Sequence, residues 1–347
     1  MRFGILIFTF FCSIQSQSAD WPQFKADAGR TGYTPEPLAE DLNLRWVYHP
    51  AHAPMPAWQA EMRMPFDHAH QVTVAEGLAF FGSSADGKVY ALDADTGKEK
   101  WTFFTEGPVR FAPAYWNGKV FAPSDDGCLY CLNAKDGAVV WKKRGGPNSD
   151  LILGNDRMIS HWPVRGAPAI VDDILYYAAG IWPSEGIFIY AIDPETGETI
   201  WVNDDSGGME MDQPHGGARA KSGVSAQGYL IANKDFLFLP TGRAVPAAFN
   251  RNDGSFRYFH LQSNRRLGGS NALATDDYLL ISDAVFEASG GENLGSLGQT
   301  VMAASPKDLV YSQGRQLAAN HLVGLATLEM TADRKGEETT KWVLKTK

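Results

Sequence analysis

The sequence predicts an all-β fold, a propeller of four-stranded antiparallel blades. Three observations predict it: a short phrase repeats along the chain, its step is that of a blade, and each step holds four strand-like runs. The first copy runs Tyr90-Ala91-Leu92-Asp93-Ala94-Asp95-Thr96-Gly97 and ends on Trp101. The second runs Tyr130-Cys131-Leu132-Asn133-Ala134-Lys135-Asp136-Gly137 to Trp141, and the third runs from Tyr190 through Gly197 to Trp201. A degenerate fourth ends Arg251-Asn252-Asp253-Gly254, with Tyr258 in the tryptophan place. The step is 40 residues from Trp101 to Trp141, then 60 to Trp201 and 57 to Tyr258.

Each part of the phrase has a local cause. Val89, Ala91 and Asp93 alternate with Tyr90 and Leu92, the period of a strand with two unlike faces. Thr-Gly or Asp-Gly then turns the chain, with Gly97, Gly137, Gly197 and Gly254 taking the backbone angle a side chain opposes. The run to the tryptophan pairs back as a hairpin. Upstream, residues 71–75 and 78–83 in the first copy, and 112–116 and 119–124 in the second, supply two more strands. Four short strands per ~40 residues make a propeller blade. Trp101, Trp141 and Trp201 are expected to be buried between blades, and Trp182, in an insertion, to be more exposed.

Composition narrows the function. The 35 glycines, 19 Phe, 12 Tyr and 10 Trp suit short strands and tight turns. A net charge of −9, without a basic run, excludes a general nucleic-acid binder. At the start, Arg2, the apolar run Phe3 to Cys12 and the small residues Ser16, Ser18 and Ala19 read as a secretory signal over 1–19. Cleavage is expected after Ser18 or Ala19, which makes the product periplasmic or secreted. Gln15 and Gln17 end the apolar run too early for a membrane anchor, and no later stretch is apolar enough to span a bilayer. Cys128 and Cys131 have C-x-x-C spacing, but on a strand they face opposite ways. They read as structural cysteines.

The pattern Y-A-L-D-x-x-T-G-x-x-x-W resembles the PQQ-like repeat family of quinoprotein dehydrogenases and outer-membrane assembly lipoproteins. The opening Trp21-Pro22-Gln23-Phe24 with Arg30-Thr31-Gly32-Tyr33 resembles the segment that precedes such propellers in exported proteins. The resemblance implies that Leu44 to Tyr48 is an outer strand that closes the ring. The expected organisation is therefore a segment with that strand over 20–60, blades over 61–311 and an irregular tail over 312–347. A fifth blade is expected between Gly269 and Tyr311, and Lys341 to Leu344 resembles one more outer strand. Propellers of this family have seven or eight blades, so the chain is expected to be an irregular ring or the front part of a longer product.

Ligand sites of propellers lie at the channel mouth. Pro108-Val109-Arg110-Phe111-Ala112-Pro113-Ala114 and Pro163-Val164-Arg165-Gly166-Ala167-Pro168-Ala169 open two inner strands alike, which sets Arg110 and Arg165 side by side at one mouth. Asp67-His68-Ala69-His70 and Lys221-Ser222-Gly223 fall at the same place in the first and fourth blades. Converging Arg110, Arg165, His68, His70 and Lys221 suit an anionic ligand; the alternative is that each arginine pairs with an acid or caps carbonyls. His68 and His70 face one side of a strand, but no third ligand can be named, so no metal site is expected. Leu151 to Trp162, with Arg157 and His161, and Met209 to Arg219, with Glu210, Asp212 and His215, are long insertions of the kind that carries function. Two functions follow. One is a non-catalytic binding or assembly scaffold, with a protein partner or a small anion and no cofactor. The other, implied by the resemblance, is a dehydrogenase using PQQ with calcium, or the propeller module of a longer enzyme. Against the second, the chain lacks the adjacent cysteines that cap the quinone in those enzymes.

Overall fold

The computed structural model describes residues 19–37, 43–60, 63–154, 156–213, 217–242, 244–261, 268–298, 300–306, 308–313, 316–321 and 343–345. Residues 1–18, which carry the expected signal, and His215 lie outside them. Among the described residues the structure is strand and turn, with one short 3-10 turn at Pro183–Glu185. Six four-stranded antiparallel ladders follow in chain order: Val72–Ala75 to Glu99–Phe104, Ala114–Trp116 to Val139–Arg144, Gly166–Val171 to Thr199–Asn203, Ile231–Ala232 to Phe256–Tyr258, Ala272–Ala274 to Asn293–Ser296, and Thr300–Ala304 to Val343–Lys345. The fold is a β-propeller. Gly228–Tyr229 adds a parallel bridge at the inner edge of the third sheet.

The interval expected to hold a fifth blade is shared by two sheets, the fifth and the first two strands of the sixth. The repeat phrase has decayed there: Gly291 keeps the positive-φ turn (φ +70°) and seats the Tyr258 ring, but the tryptophan is gone. The sixth sheet runs across the boundary expected at 311. Residues 43–50 join no ladder, whereas Val343–Lys345 forms the outer edge of the sixth sheet.

Apolar layers between neighbouring sheets hold the propeller together, because each sheet has two faces to cover. Phe80, Val89 and Ala91 of the first sheet meet Val120, Cys128 and Tyr130 of the second. Phe121, Leu129 and Cys131, on the other face of that second sheet, meet Leu175, Tyr177 and Ile192. The two cysteines thus face opposite layers, are unpaired, and are pushed by burial to a pKa of about 11 for Cys128 and about 12 for Cys131.

The repeat residues interlock between blades. A Cβ on Gly137 would lie 2.7 Å from the Trp101 ring, and one on Gly254 2.5 Å from Trp201. Both glycines also have positive φ, +73° and +71°, so turn and indole seat require the same residue. The Trp101 and Trp201 indole N–H groups donate to Ala134 O and Arg251 O, each at 2.9 Å. Trp46 sits the same way on Gly97 and donates to Ala94 O at 2.9 Å, although its segment is not a strand. The expectation for the tryptophans holds in part. Trp101 is 8% exposed, but Trp141 and Trp201, on the same outermost strand of their sheets, are half-buried. Trp182 is 38% exposed, as expected.

Candidate functional site

The innermost strand of every blade leaves one edge of backbone N–H and C=O groups facing the axis, and such groups need partners. Residues 21–31 supply them, blade by blade. Val74 N–H donates to Trp21 O at 2.9 Å, Tyr115 N–H to Pro22 O at 2.7 Å, and Ile170 N–H to Gln23 Oε1 at 2.8 Å. Ala232, Ala274 and Ala304 donate to Ala28 O, Gly29 O and Thr31 O, each at 2.8 Å. One segment therefore visits all six inner strands in order, near their C-terminal ends. Lys25, Ala26 and Arg30 take positive φ of 56°, 75° and 58° as it turns. Arg30 is fully buried and donates to Leu230 O (2.8 Å), Pro168 O (2.7 Å), Phe24 O and Asp27 O (both 3.2 Å). Burial lowers its pKa to about 10 against the pull of Asp27 and Tyr229.

The channel beyond this segment is filled. Phe24 stacks on Tyr229 at 3.8 Å, Tyr229 meets Phe111 edge-on at 5.0 Å, and Phe111 stacks on Phe66 at 4.8 Å. Tyr229 Oη accepts the Ala112 N–H at 2.7 Å.

The opposite mouth lies where the inner strands begin. Arg110 and Arg165 meet there on one carboxylate. Asp125 accepts Arg110 Nε at 2.7 Å and Arg165 Nε and Nη2 at 2.9 Å each. Arg110 Nη1 also donates to Asp67 Oδ2 at 2.7 Å and to Met55 O at 2.8 Å. The four side chains are buried, 2% exposed or less, and their formal charges cancel. Burial by itself would raise the Asp125 carboxyl, but Arg165 and then Arg110 outweigh it and hold it below the usual range. For Asp67 burial wins over Arg110, and its carboxyl is raised. The geometry agrees: Asp67 Oδ2 takes both Arg110 and the Ala57 N–H, while Oδ1 is buried without a hydrogen-bond partner.

The other expected site residues do not join this network. His68 is exposed with Nε2 3.3 Å from Trp58 O, and His70 Nδ1 lies 3.1 Å from Gly82 O. Lys221 is exposed on the strand Arg219–Lys221, which pairs with Glu210–Asp212 as a separate hairpin. Its insertion displaces it from the place the repeat would give it. Among the described residues, no three His, Cys, Asp or Glu side chains converge in a way that could hold a metal ion.

Residues 55–308 match the sequence profile of the family described as "Outer membrane protein assembly factor BamB". The chain belongs to that family. Within this BamB-type family setting, it is 30% identical over 148 residues to quinoprotein ethanol dehydrogenase of Pseudomonas aeruginosa, covering 38% of this chain and 22% of that protein. It is 36% identical over 126 residues to the dehydrogenase subunit of Gluconobacter oxydans alcohol dehydrogenase (quinone), covering 33% and 16%. The chain thus spans about a fifth of the length of these curated relatives. A europium-containing methanol dehydrogenase shares the fold at a TM-score of 0.55 and 15% identity, over 86% of this chain and 61% of that one.

Proposed function

We propose that this BamB-type propeller is a non-catalytic binding or assembly scaffold of the exported compartment. The filled channel carries the reading. Phe24, Phe66, Phe111 and Tyr229 pack ring on ring, and residues 21–31 bond along the inner strands at one end. At the other end Arg110 and Arg165 are already neutralised by Asp67 and Asp125. PQQ with calcium, which the quinoprotein relatives suggest, needs cations for its carboxylates and an acid set for the metal. The described residues do not fit that demand.

The surfaces left for partners are the two inserted hairpins, Leu151–Ser160 and Glu210–Lys221, both on the face of the Arg110 mouth. On the first, Leu151, Leu153 and Met158 are 54%, 76% and 55% exposed, a side-chain set that suits a protein partner. Absorbance titration with PQQ and calcium, beside a dye-linked alcohol oxidation assay, is expected to give neither calcium-dependent saturation nor turnover. Both together would overturn the scaffold reading. Export rests on Arg2 and the short apolar run behind it. N-terminal sequencing of the mature protein is expected to begin at Ala19 or Asp20, and an intact Met1 on a cytosolic product would remove the assignment. No helix among the described residues is long and apolar enough to cross a membrane.

A further inference from the structure

Beside the neutral network, on the same face, lies a pocket of about 500 Å³ walled by Met55, Trp58, Ser84, Arg110, Asp156 and Arg157. Its wall is fixed before any ligand arrives. Met55 N–H donates to Ser84 Oγ at 2.9 Å, Ala57 N–H to Asp67 Oδ2 at 2.9 Å, and Trp58 Nε1 to Gln227 Oε1 at 3.1 Å. Preorganised walls reduce the ordering cost of binding.

Arg157 differs from the arginines of the mouth. It donates to Ser84 O (3.2 Å), Ala85 O (2.6 Å) and Met55 Sδ (3.1 Å), and among the described residues it makes no ion pair. A guanidinium carries five N–H donors; three are engaged in this way, which leaves two. Arg110 below is neutralised by Asp67 and Asp125. The pocket therefore combines one guanidinium that makes no ion pair with an indole and a thioether. Asp156, exposed on the rim at φ +59°, is the opposing charge.

We propose that this pocket binds a small carboxylate with an aromatic or apolar body, the carboxylate on Arg157 and the body against Trp58 and Met55. Guanidinium and carboxylate match in shape as well as charge, and the indole face takes a flat body. The proposal rests on the reading that this face binds ligands rather than turning them over, and it moves the anion from the expected Arg110 and Arg165 to Arg157.

Calorimetric titration of the whole protein with 1-naphthoate tests it. Saturable binding is expected, weakened at least tenfold by Arg157→Ala and weakened as salt rises, because the rim is open to screening. Asp156→Asn is expected to tighten binding two- to threefold, since asparagine keeps the turn and removes the repulsion. Uncharged 1-naphthamide is expected not to bind. Absence of saturation, Arg157→Ala binding like the parent, or equal binding of the amide would each overturn the proposal. Arg157→Gln, which keeps donors for the carbonyls of Ser84 and Ala85, replaces the alanine variant if that one melts early. Alcohol oxidation with PQQ and calcium, measured on the same samples, would strike the scaffold reading alone, whereas failed naphthoate binding without turnover strikes the pocket alone.

Discussion

Asp125→Ala is expected to destabilise the propeller by about 3–5 kcal/mol, the usual cost of leaving a buried charge without its partner. Two guanidiniums depend on this carboxylate, both almost wholly buried. After its loss Arg110 keeps Asp67, while Arg165 loses the two hydrogen bonds it makes to Asp125. Added salt is expected to restore little, because buried pairs are weakly screened. Asp67→Asn is expected to cost about 1 kcal/mol, near the net value of one hydrogen bond, since its carboxyl is already raised by burial and one oxygen lacks a partner.

The two acids also pull the pH dependence in opposite directions. Asp67, raised in the fold, contributes stability that is complete below the unfolded carboxyl value of ~4 and is lost as pH rises through its folded value. Asp125, depressed in the fold, contributes stability that is complete above that value and is lost as pH falls through its own. Asp67→Asn should remove the first dependence and keep the second. Denaturant melts across pH measure all three expectations. An Asp125→Ala variant within 1 kcal/mol of the parent would mean that the arginines are not held as described.

The scaffold was legible in the sequence where the repeat is strong. Strand alternation, the turn glycines and the tryptophans placed the first four blades, because each rests on a local rule that the tertiary structure also needs. The last two sheets were blurred because they no longer carry the tryptophan that marks a blade, and the fifth keeps only the turn glycine, Gly291, in a phrase otherwise altered. Arg110 and Arg165 could be set side by side from their matched phrases. Their partner could have been found as well: in Ser124-Asp125-Asp126-Gly127 the second residue is an acid where Ser84-Ala85-Asp86-Gly87 has alanine. The neighbouring acids follow the repeat and serve it, with Tyr90 and Tyr130 each donating its hydroxyl to Asp86 and Asp126 at 2.5 Å. A charge that breaks a repeated turn is the signal of a site. Lys221 was misplaced because an inserted hairpin shifts every position counted from the repeat. The role of residues 21–31 had no periodic signal, since their partners are spread over the whole ring.

Arg30 gives that segment its second large expected effect. Its guanidinium reaches four carbonyls, from the segment itself at Phe24 and Asp27 and from the third and fourth blades at Pro168 and Leu230. It also lies 5.6 Å from the centre of the Tyr229 ring. No carboxylate lies within ion-pair distance of it among the described residues, so its stabilisation comes from hydrogen bonds, each worth more for a charged donor. Its backbone is at φ +58°, a conformation that costs a non-glycine residue about 1–2 kcal/mol. The chain tolerates this strain because the side chain bolts the segment to two blades. Arg30→Ala keeps the strain and loses the bonds, and is expected to cost about 3 kcal/mol, the order for losing charge-assisted hydrogen bonds from a buried network. Arg30→Gly loses the same bonds but relieves the backbone, so it should be the more stable of the two by about 1 kcal/mol. Hydrogen exchange then separates a bolt from a merely buried side chain. In both variants the amides of Ala232, Ala274 and Ala304, which donate to residues 28–31, should exchange faster than those of the strand Lys88–Asp93. Glycine matching the parent in stability, or unchanged protection at those three amides, would show that the segment holds its place without Arg30.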